Sequence, residues 1–324
     1  ASDVYKRQTD AVFERAAHVV SLDTIQNRLV PSSIEARAAN ACYDTGNDEY
    51  TLYLSSQNPH LTRMVSCRNT LDIPEHKLRI VAPDVGGGFG MKSPPYAEDF
   101  LCLYGAKLTG RPVKWVEDRL EHLTAASSAP NRVVSIAAAV SKDGLMTGMR
   151  IDQLDDYGAY LRSPMPGPLY RMHGALSGAY KVKNLDVTNR LVMTNKTPAG
   201  LVRGFGGPQM YFAIERLMHK IAVELKLDPL DVIKNNLLQA DVFPHKAPAG
   251  ALYDSGDYPK AVEKAIEEGG LKEILERRSE ARKAGKLYGV GYAAVVEPGM
   301  STVSYTHLRA HETEADLVCR LLLE

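Results

Sequence analysis

The sequence has four cysteines and one tryptophan in 324 residues, no net charge and no long apolar run. Each scarcity excludes something. Cys42, Cys67, Cys102 and Cys319 are scattered, with no CxxC pair and no zinc or cluster spacing. They read as small buried hydrophobes in a reducing, cytoplasmic setting. Any iron–sulfur cluster the protein works with therefore sits on another chain. The nine histidines include no HExxH and no Glu-x-x-His pair, so a protein-ligated metal is not expected. Lys plus Arg equals Asp plus Glu at 39 each, which argues against nucleic acid or anionic lipid as the main partner. No segment approaches the ~20 apolar residues of a membrane-spanning helix.

What is present is enough for a sizeable core: 44% of the residues are hydrophobic, and the length suits about two domains. Residues 50–56 and 113–117 read as strands, and 78–83 as a buried strand. A helix start is expected at Ser93, Pro94 and Pro95, with Phe100, Leu103 and Tyr104 apolar and Gly110 and Pro112 as the stop. Residues 133–154 predict a hairpin around Lys142, Asp143 and Gly144, and 178–194 a further strand pair. Tyr211, Ile214, Met218, Ile221 and Leu225 form one stripe of a helix over 208–225, with Pro208 in its first turn. A charged helical region follows at 258–285, and a buried strand at 287–297. Strands and helices interleave without a βαβ rhythm, so the expected class is α+β.

Two glycine-rich stretches carry the chemistry. One is Gly86-Gly87-Gly88-Phe89-Gly90-Met91-Lys92-Ser93, between a strand and a helix; the other is Arg203-Gly204-Phe205-Gly206-Gly207-Pro208-Gln209, directly before a helix. Glycines let the backbone approach a ligand, and free N–H groups at a helix start favour anionic oxygens. The P-loop pattern fails at Met91. The dinucleotide pattern fails at Met91 in the first stretch and at Gln209 in the second. The residues alone leave two readings, an anionic cofactor site or tight turns that pack two elements. Gln57, in Ser55-Ser56-Gln57-Asn58-Pro59-His60, is either a donor aimed into a site or a turn residue before proline. The residues alone favour the turn.

The three segments SSQNPH, GGGFGMK and TPAGLVRGFGGPQMYFAIERLMHKIAVELKLDPLDVIKNNLL, in that order, resemble the large subunit of xanthine dehydrogenases, aldehyde oxidases and aerobic carbon monoxide dehydrogenases. The likeness runs over 9–302. It implies the first half of the molybdenum-cofactor-binding region, with mixed sheets and packed helices. It also implies a molybdenum held by the dithiolene of a pterin (molybdopterin or its cytosine dinucleotide form) rather than by protein ligands. The implied reaction is oxidative hydroxylation of an electron-poor carbon with water as oxygen source. Electrons would leave through [2Fe-2S] clusters on a small subunit to FAD on a medium subunit. By the same resemblance Gln57 would hydrogen-bond a molybdenum oxygen, and Gly88, Phe89 and Gly90 would offer backbone contacts. Arg203, Gly204, Phe205 and Gly206 would hold the cofactor from the other side, with Phe205 stacked against a planar substrate.

Two departures narrow the substrate. Purine-oxidising members carry Glu where Ser93 stands, and copper-containing carbon monoxide dehydrogenases carry Cys where Gly204 stands. An aldehyde or a nitrogen heteroaromatic is therefore expected, ahead of xanthine or carbon monoxide. A cofactor-binding module without activity is the reading from another class. The family's catalytic Glu lies in a C-terminal half that the sequence does not include, so a fragment is expected. Residues 1–8 and 303–324 resemble translated sequencing adapter flanking the family region; for the latter, an apolar stripe of Leu317, Val318, Leu321 and Leu322 on a C-terminal helix is the alternative.

Overall fold

The structure, a computed structural model, describes residues 2–162, 165–297 and 317–319. The chain opens on helix α1 (Ser2–Glu14) and strand β1 (His18–Gln26). It continues through β2 (Ala38–Asp44), β3 (Glu49–Leu54), α2 (Pro59–Val65) and β4 (Leu78–Val81). Next come α3 (Ala97–Thr109), β5 (Val113–Val116) and α4 (Arg119–Ala125). The long hairpin β6 (Asn131–Val140) and β7 (Met146–Asp156) leads to α5 (Gly167–Tyr170) and β8 (Asn184–Val192). Helices α6 (Gly207–Leu225) and α7 (Pro229–Asn236) follow. Strands β9 (His245–Lys246) and β10 (Leu252–Tyr253), helices α8 (Tyr258–Glu268) and α9 (Leu271–Lys283), and strands β11 (Ala294–Val296) and β12 (Leu317–Cys319) complete it.

Two mixed four-stranded sheets organise these elements, in the orders β4-β3-β2-β5 and β1-β6-β7-β8. The α+β expectation holds. In the first sheet β3 and β4 run parallel, with Tyr53 opposite Val81. A parallel pair needs a crossover, and α2 supplies its start: the Asn58 side chain accepts from Leu61 N at 3.2 Å, and Pro59 occupies the first turn. Because the strands are parallel, the segment after β3 and the segment after β4 leave from the same edge. Gln57 lies on one and the first glycine loop on the other. Beneath them Ala41, Leu52, Leu78, Cys67, Leu103 and Ala106 form a closed apolar core.

The second sheet packs on α6. Val134, Ile136 and Ala138 alternate inward along β6 and meet Ile214, Leu217, Met218 and Ile221 of the helix. Full burial of each large side chain contributes about 1.5–3 kcal/mol. Cys42, Cys67 and Cys102 are free, with Cys67 and Cys102 buried and Cys42 half-buried. Among the described residues, no helix is long and apolar enough to cross a membrane.

Several local expectations need correction. Only β8 forms in 178–194, and it pairs in parallel with β7; Ala179, Tyr180 and Val182 instead fill the core as irregular chain. The charged region divides into α8 and α9 at Gly269 and Gly270, where Gly270 takes φ +62°. The strand expected over 287–297 contracts to Ala294–Val296. Leu103 is buried as expected, but Tyr104 faces outward, 62% exposed. Residues 2–8, set apart in the sequence, lie in α1, where Lys6, Arg7 and Gln8 are exposed and Thr9 is buried. Residues 303–324, set apart in the sequence, lie outside the described residues except for Leu317–Cys319.

One buried carboxyl gives the fold a measurable pH dependence. Glu215 on α6 accepts from Tyr180 Oη at 2.8 and 2.9 Å and from Ala294 N at 2.9 Å, tying the helix to β11. Burial pushes its pKa from 4.5 up to about 7. A carboxyl raised in the folded state favours folding at low pH, and that advantage is lost as pH rises from 4.5 through about 7. At ~1.4 kcal/mol per pH unit, the stability of the parent relative to Glu215→Gln should fall by about 3 kcal/mol between pH 4 and pH 8. Denaturant titrations of both proteins across that range check this; a pH-independent difference would refute it.

Candidate functional site

The structure brings Gln57, the first glycine loop and the second glycine loop together. Gln57 N donates to Lys92 O at 3.0 Å, and Gln57 Oε1 accepts from Gly90 N at 2.8 Å. With its oxygen held, the exposed Gln57 side chain turns its NH2 away from the loop, and among the described residues that group has no partner. A Cβ on Gly88 would lie 2.3 Å from Gln57 Oε1, so glycine is what allows the amide to lie flat on the loop. The turn reading that the residues alone favour is therefore half of the answer, since Asn58 caps α2 while Gln57 reaches the loop.

The two glycine loops are joined directly: Arg203 N donates to Phe89 O at 2.9 Å. Phe89 holds a left-handed conformation (φ +50°) and is 47% exposed. Behind this contact, Tyr96 Oη reaches Met91 O at 2.7 Å and Ser127 Oγ at 2.5 Å, while Gly200 N donates to Ser128 O at 2.7 Å. The Ser127-Ser128 pair thus braces both loops from inside. Ser93 is half-buried, with its N–H closing the turn on Gly90 O at 3.1 Å.

The second loop turns into α6 through Gly204 (φ +76°) and Gly206 (φ +86°). Gly207 N donates to Gly204 O at 2.8 Å, and a Cβ on Gly206 would meet Pro168 O at 2.4 Å. Arg171 straps the loop. Its Nη1 donates to Gly204 O and Phe205 O at 3.1 and 3.3 Å, its guanidinium lies 4.7 Å from the Phe205 ring centroid, and its Nη2 pairs with Glu297 at 2.5 Å. One face of the Phe205 ring is thus covered by the Arg171 guanidinium.

Unpaired donors suggest what the cleft accepts. Among the described residues, the N–H groups of Gly88, Phe89, Gly204, Phe205 and Gly206 donate to no backbone carbonyl, and Gly88 is buried. The exposed Arg203 guanidinium has no partner among the described residues either. Buried or half-buried donors seldom stay unpaired. Five amides, one amide side chain and one cation, all converging beside a helix start, suit an oxygen-rich anionic ligand. Among the described residues, no cluster of His, Cys, Asp or Glu could hold a bare metal ion. The sequence did not single out Glu35, Lys92, Arg171 or Glu297. Lys92 lies inside a quoted motif, whereas the other three carry no local pattern.

Comparisons with known proteins point to one family. The family model for the molybdopterin cofactor-binding domain matches residues 2–237. The nicotine 6-hydroxylase large subunit of Paenarthrobacter nicotinovorans is 34% identical over 292 residues, covering 89% of this chain and 35% of that protein. The carbon monoxide dehydrogenase large chain of Afipia carboxidovorans is 34% identical over 303 residues, covering 90% of this chain and 37% of its own length. The crystal structure of quinoline 2-oxidoreductase from Pseudomonas putida 86 superposes with a TM-score of 0.84 at 29% identity, covering 89% of this chain and 37% of that one. The chain therefore spans about a third of the length of these relatives.

Proposed function

From the premise that this chain belongs to the molybdopterin cofactor-binding domain family, we propose that it is part of the large subunit of a molybdenum hydroxylase acting on a nitrogen heteroaromatic or an aldehyde. The observation that carries this reading is the convergence of Gln57 and two glycine loops on one set of unpaired donors. Gly88, Phe89, Gly90, Arg203, Gly204 and Gly206 would hold the pterin, and Gln57 would direct its NH2 toward an oxygen of the metal centre. When bound, the molybdenum–pterin group supplies the two-electron oxidation, with water as the oxygen source. The chain's own part is preorganisation, with fixed donors placed where negative charge develops and a ring that orients the substrate. None of these residues can accept a proton at neutral pH, so the general base is not among them.

The substrate class follows from Phe205, Ser93 and Gly204. Phe205 offers a half-buried aromatic ring held by Arg171, Ser93 offers a small polar side chain, and Gly204 has no thiol to hold copper. The nicotine and quinoline enzymes it resembles are named for nitrogen heteroaromatic substrates. We propose the cytoplasm as the location, with an FAD-binding medium subunit and a [2Fe-2S] small subunit as partners. The test is to purify the full-length subunit with its partners, measure molybdenum per protomer, and assay dye reduction with quinoline, an aliphatic aldehyde, xanthine and carbon monoxide. Molybdenum with heteroaromatic or aldehyde turnover is expected. Molybdenum without turnover of any substrate would leave only a cofactor-binding module.

Phe205→Ala should lower kcat/KM for quinoline-type substrates roughly two- to tenfold, since ring stacking contributes about 0.5–1.5 kcal/mol beyond area burial. Acetaldehyde turnover should change less. Equal losses for both classes would remove the stacking role from Phe205.

A further inference from the structure

Glu35 belongs to none of the segments that carry the family likeness. It lies in the irregular chain between β1 and β2, yet one of its oxygens gathers the whole base of the first glycine loop. Oε2 accepts from Gly86 N and Lys92 Nζ at 2.7 Å each and from Ser55 Oγ at 2.8 Å. The backbones pair as well, with Glu35 N donating to Gly86 O at 3.1 Å. A Cβ on Gly86 would stand 2.5 Å from Glu35 Cβ, so the loop glycine is what lets the two segments meet.

Lys92 passes this constraint onward. Its side chain is 0% exposed, and among the described residues its ion pair is with Glu35. A buried ammonium without a counter-charge is strongly disfavoured, so the carboxylate fixes where Lys92 sits. Lys92 O in turn accepts from Gln57 N, and Gln57 Oε1 accepts from Gly90 N. Ser55 makes a second, shorter link, since it lies two residues before Gln57 and also ends on Glu35. Burial alone would raise the pKa of Glu35, but the bonds from Lys92, Ser55 and Gly86 outweigh it and hold the group below the usual carboxylate range.

We propose that Glu35 is a positioning residue of the cofactor site: acting through Lys92 and Ser55, it sets the direction in which Gln57 presents its amide to the cofactor. The proposal rests on the cofactor reading above. It places the control of Gln57 in a stretch of chain outside both glycine loops.

The test uses the full-length protein, in which Glu35→Gln keeps the side-chain shape and removes the charge that matches Lys92. In cofactor-free protein, amide exchange should become about tenfold faster at Gly86 and also at Gly90, which Glu35 does not touch, while β6 and α6 keep their protection. In the assembled enzyme, kcat should fall about tenfold with KM within about twofold, and Glu35→Gln combined with Gln57→Ala should be no worse than Gln57→Ala alone. Faster exchange spread evenly over the chain, or losses that multiply in the double variant, overturn the positioning role. Should Glu35→Gln not accumulate, Ser55→Ala removes one donor and keeps the ion pair. Faster exchange at Gly90 in that variant supports the proposal, and unchanged exchange overturns it. Gln57→Ala separates the two readings. If it alone leaves molybdenum content and kcat unchanged, the cofactor assignment fails and the role of Glu35 fails with it. If it is damaging but the double variant multiplies, only the role of Glu35 fails.

Discussion

Arg132→Met is expected to cost the fold about 3–5 kcal/mol, the loss typical when one partner of a buried ion pair is removed. Arg132 Nε and Nη2 hold Asp155 at 2.6 and 2.7 Å, with side chains 2% and 0% exposed. Methionine would fill most of the volume but leave buried Asp155 without its counter-charge, with Tyr157 Oη at 3.3 Å as its remaining side-chain donor among the described residues. The pair sits on the facing strands β6 and β7, in the register Arg132 opposite Asp155, so the damage falls at one end of the two inner strands of the second sheet. It also reaches the site. Arg132 Nη2 donates to Pro168 O at 3.3 Å, the same carbonyl that Gly206 must pass without a Cβ. The denaturation midpoint of Arg132→Met should drop accordingly, and Arg132→Met with Asp155→Leu should recover much of it, because an apolar pair carries no desolvation cost. A loss below about 1 kcal/mol would mean that Asp155 finds water or another donor, and that the ion pair is not what holds this segment.

The difference between what the sequence shows and what it conceals follows the range of the interactions. Helix α6 is legible because Tyr211, Ile214, Met218 and Ile221 repeat at the helical period, and all four are buried. The β6–β7 hairpin is legible because Lys142-Asp143-Gly144 needs a left-handed residue, and Gly144 takes φ +81°. Pairing of β7 with β8 is parallel and non-local, so no turn signal announces it. Strand-like composition also misleads. Residues 178–182 are apolar because they are core, while only a single bridge from Tyr180 to Leu237 is made there. At the site, Gly90, Gly204 and Gly206 stand out because positive φ favours glycine, Gly88 because a Cβ would meet Gln57, and Gln57 stands out only in company with them. Glu35 and Arg171 act through side chains that cross from distant segments. A lone carboxylate or guanidinium in irregular chain leaves no periodic or motif signal.

Gly90→Ala should empty the cofactor site while leaving the rest of the fold in place. Gly90 holds φ +97°, where an L side chain is strained by about 1–3 kcal/mol. Its surroundings are worse than the torsion. A Cβ there would lie 2.7 Å from Leu201 O and 2.8 Å from Leu201 C, and backbone atoms cannot rotate away as a side chain would. Relief requires the two glycine loops to separate. Two bonds are then at risk, Gly90 N to Gln57 Oε1 at 2.8 Å and Arg203 N to Phe89 O at 2.9 Å. If these bonds keep the free amides of both loops converging on one ligand, as proposed, loss of affinity should exceed loss of stability. Molybdenum per protomer in the full-length enzyme should fall at least about tenfold, corresponding to ~1.4 kcal/mol of binding. Gly110→Ala is the matched control, because it has positive φ (+62°) but nothing within 4 Å of the added carbon. It should cost about 1 kcal/mol of stability through the torsion alone and leave the metal content unchanged. Full molybdenum in Gly90→Ala, with Gly110→Ala behaving as expected, would show that the contact between the loops is packing and that the cofactor is held elsewhere.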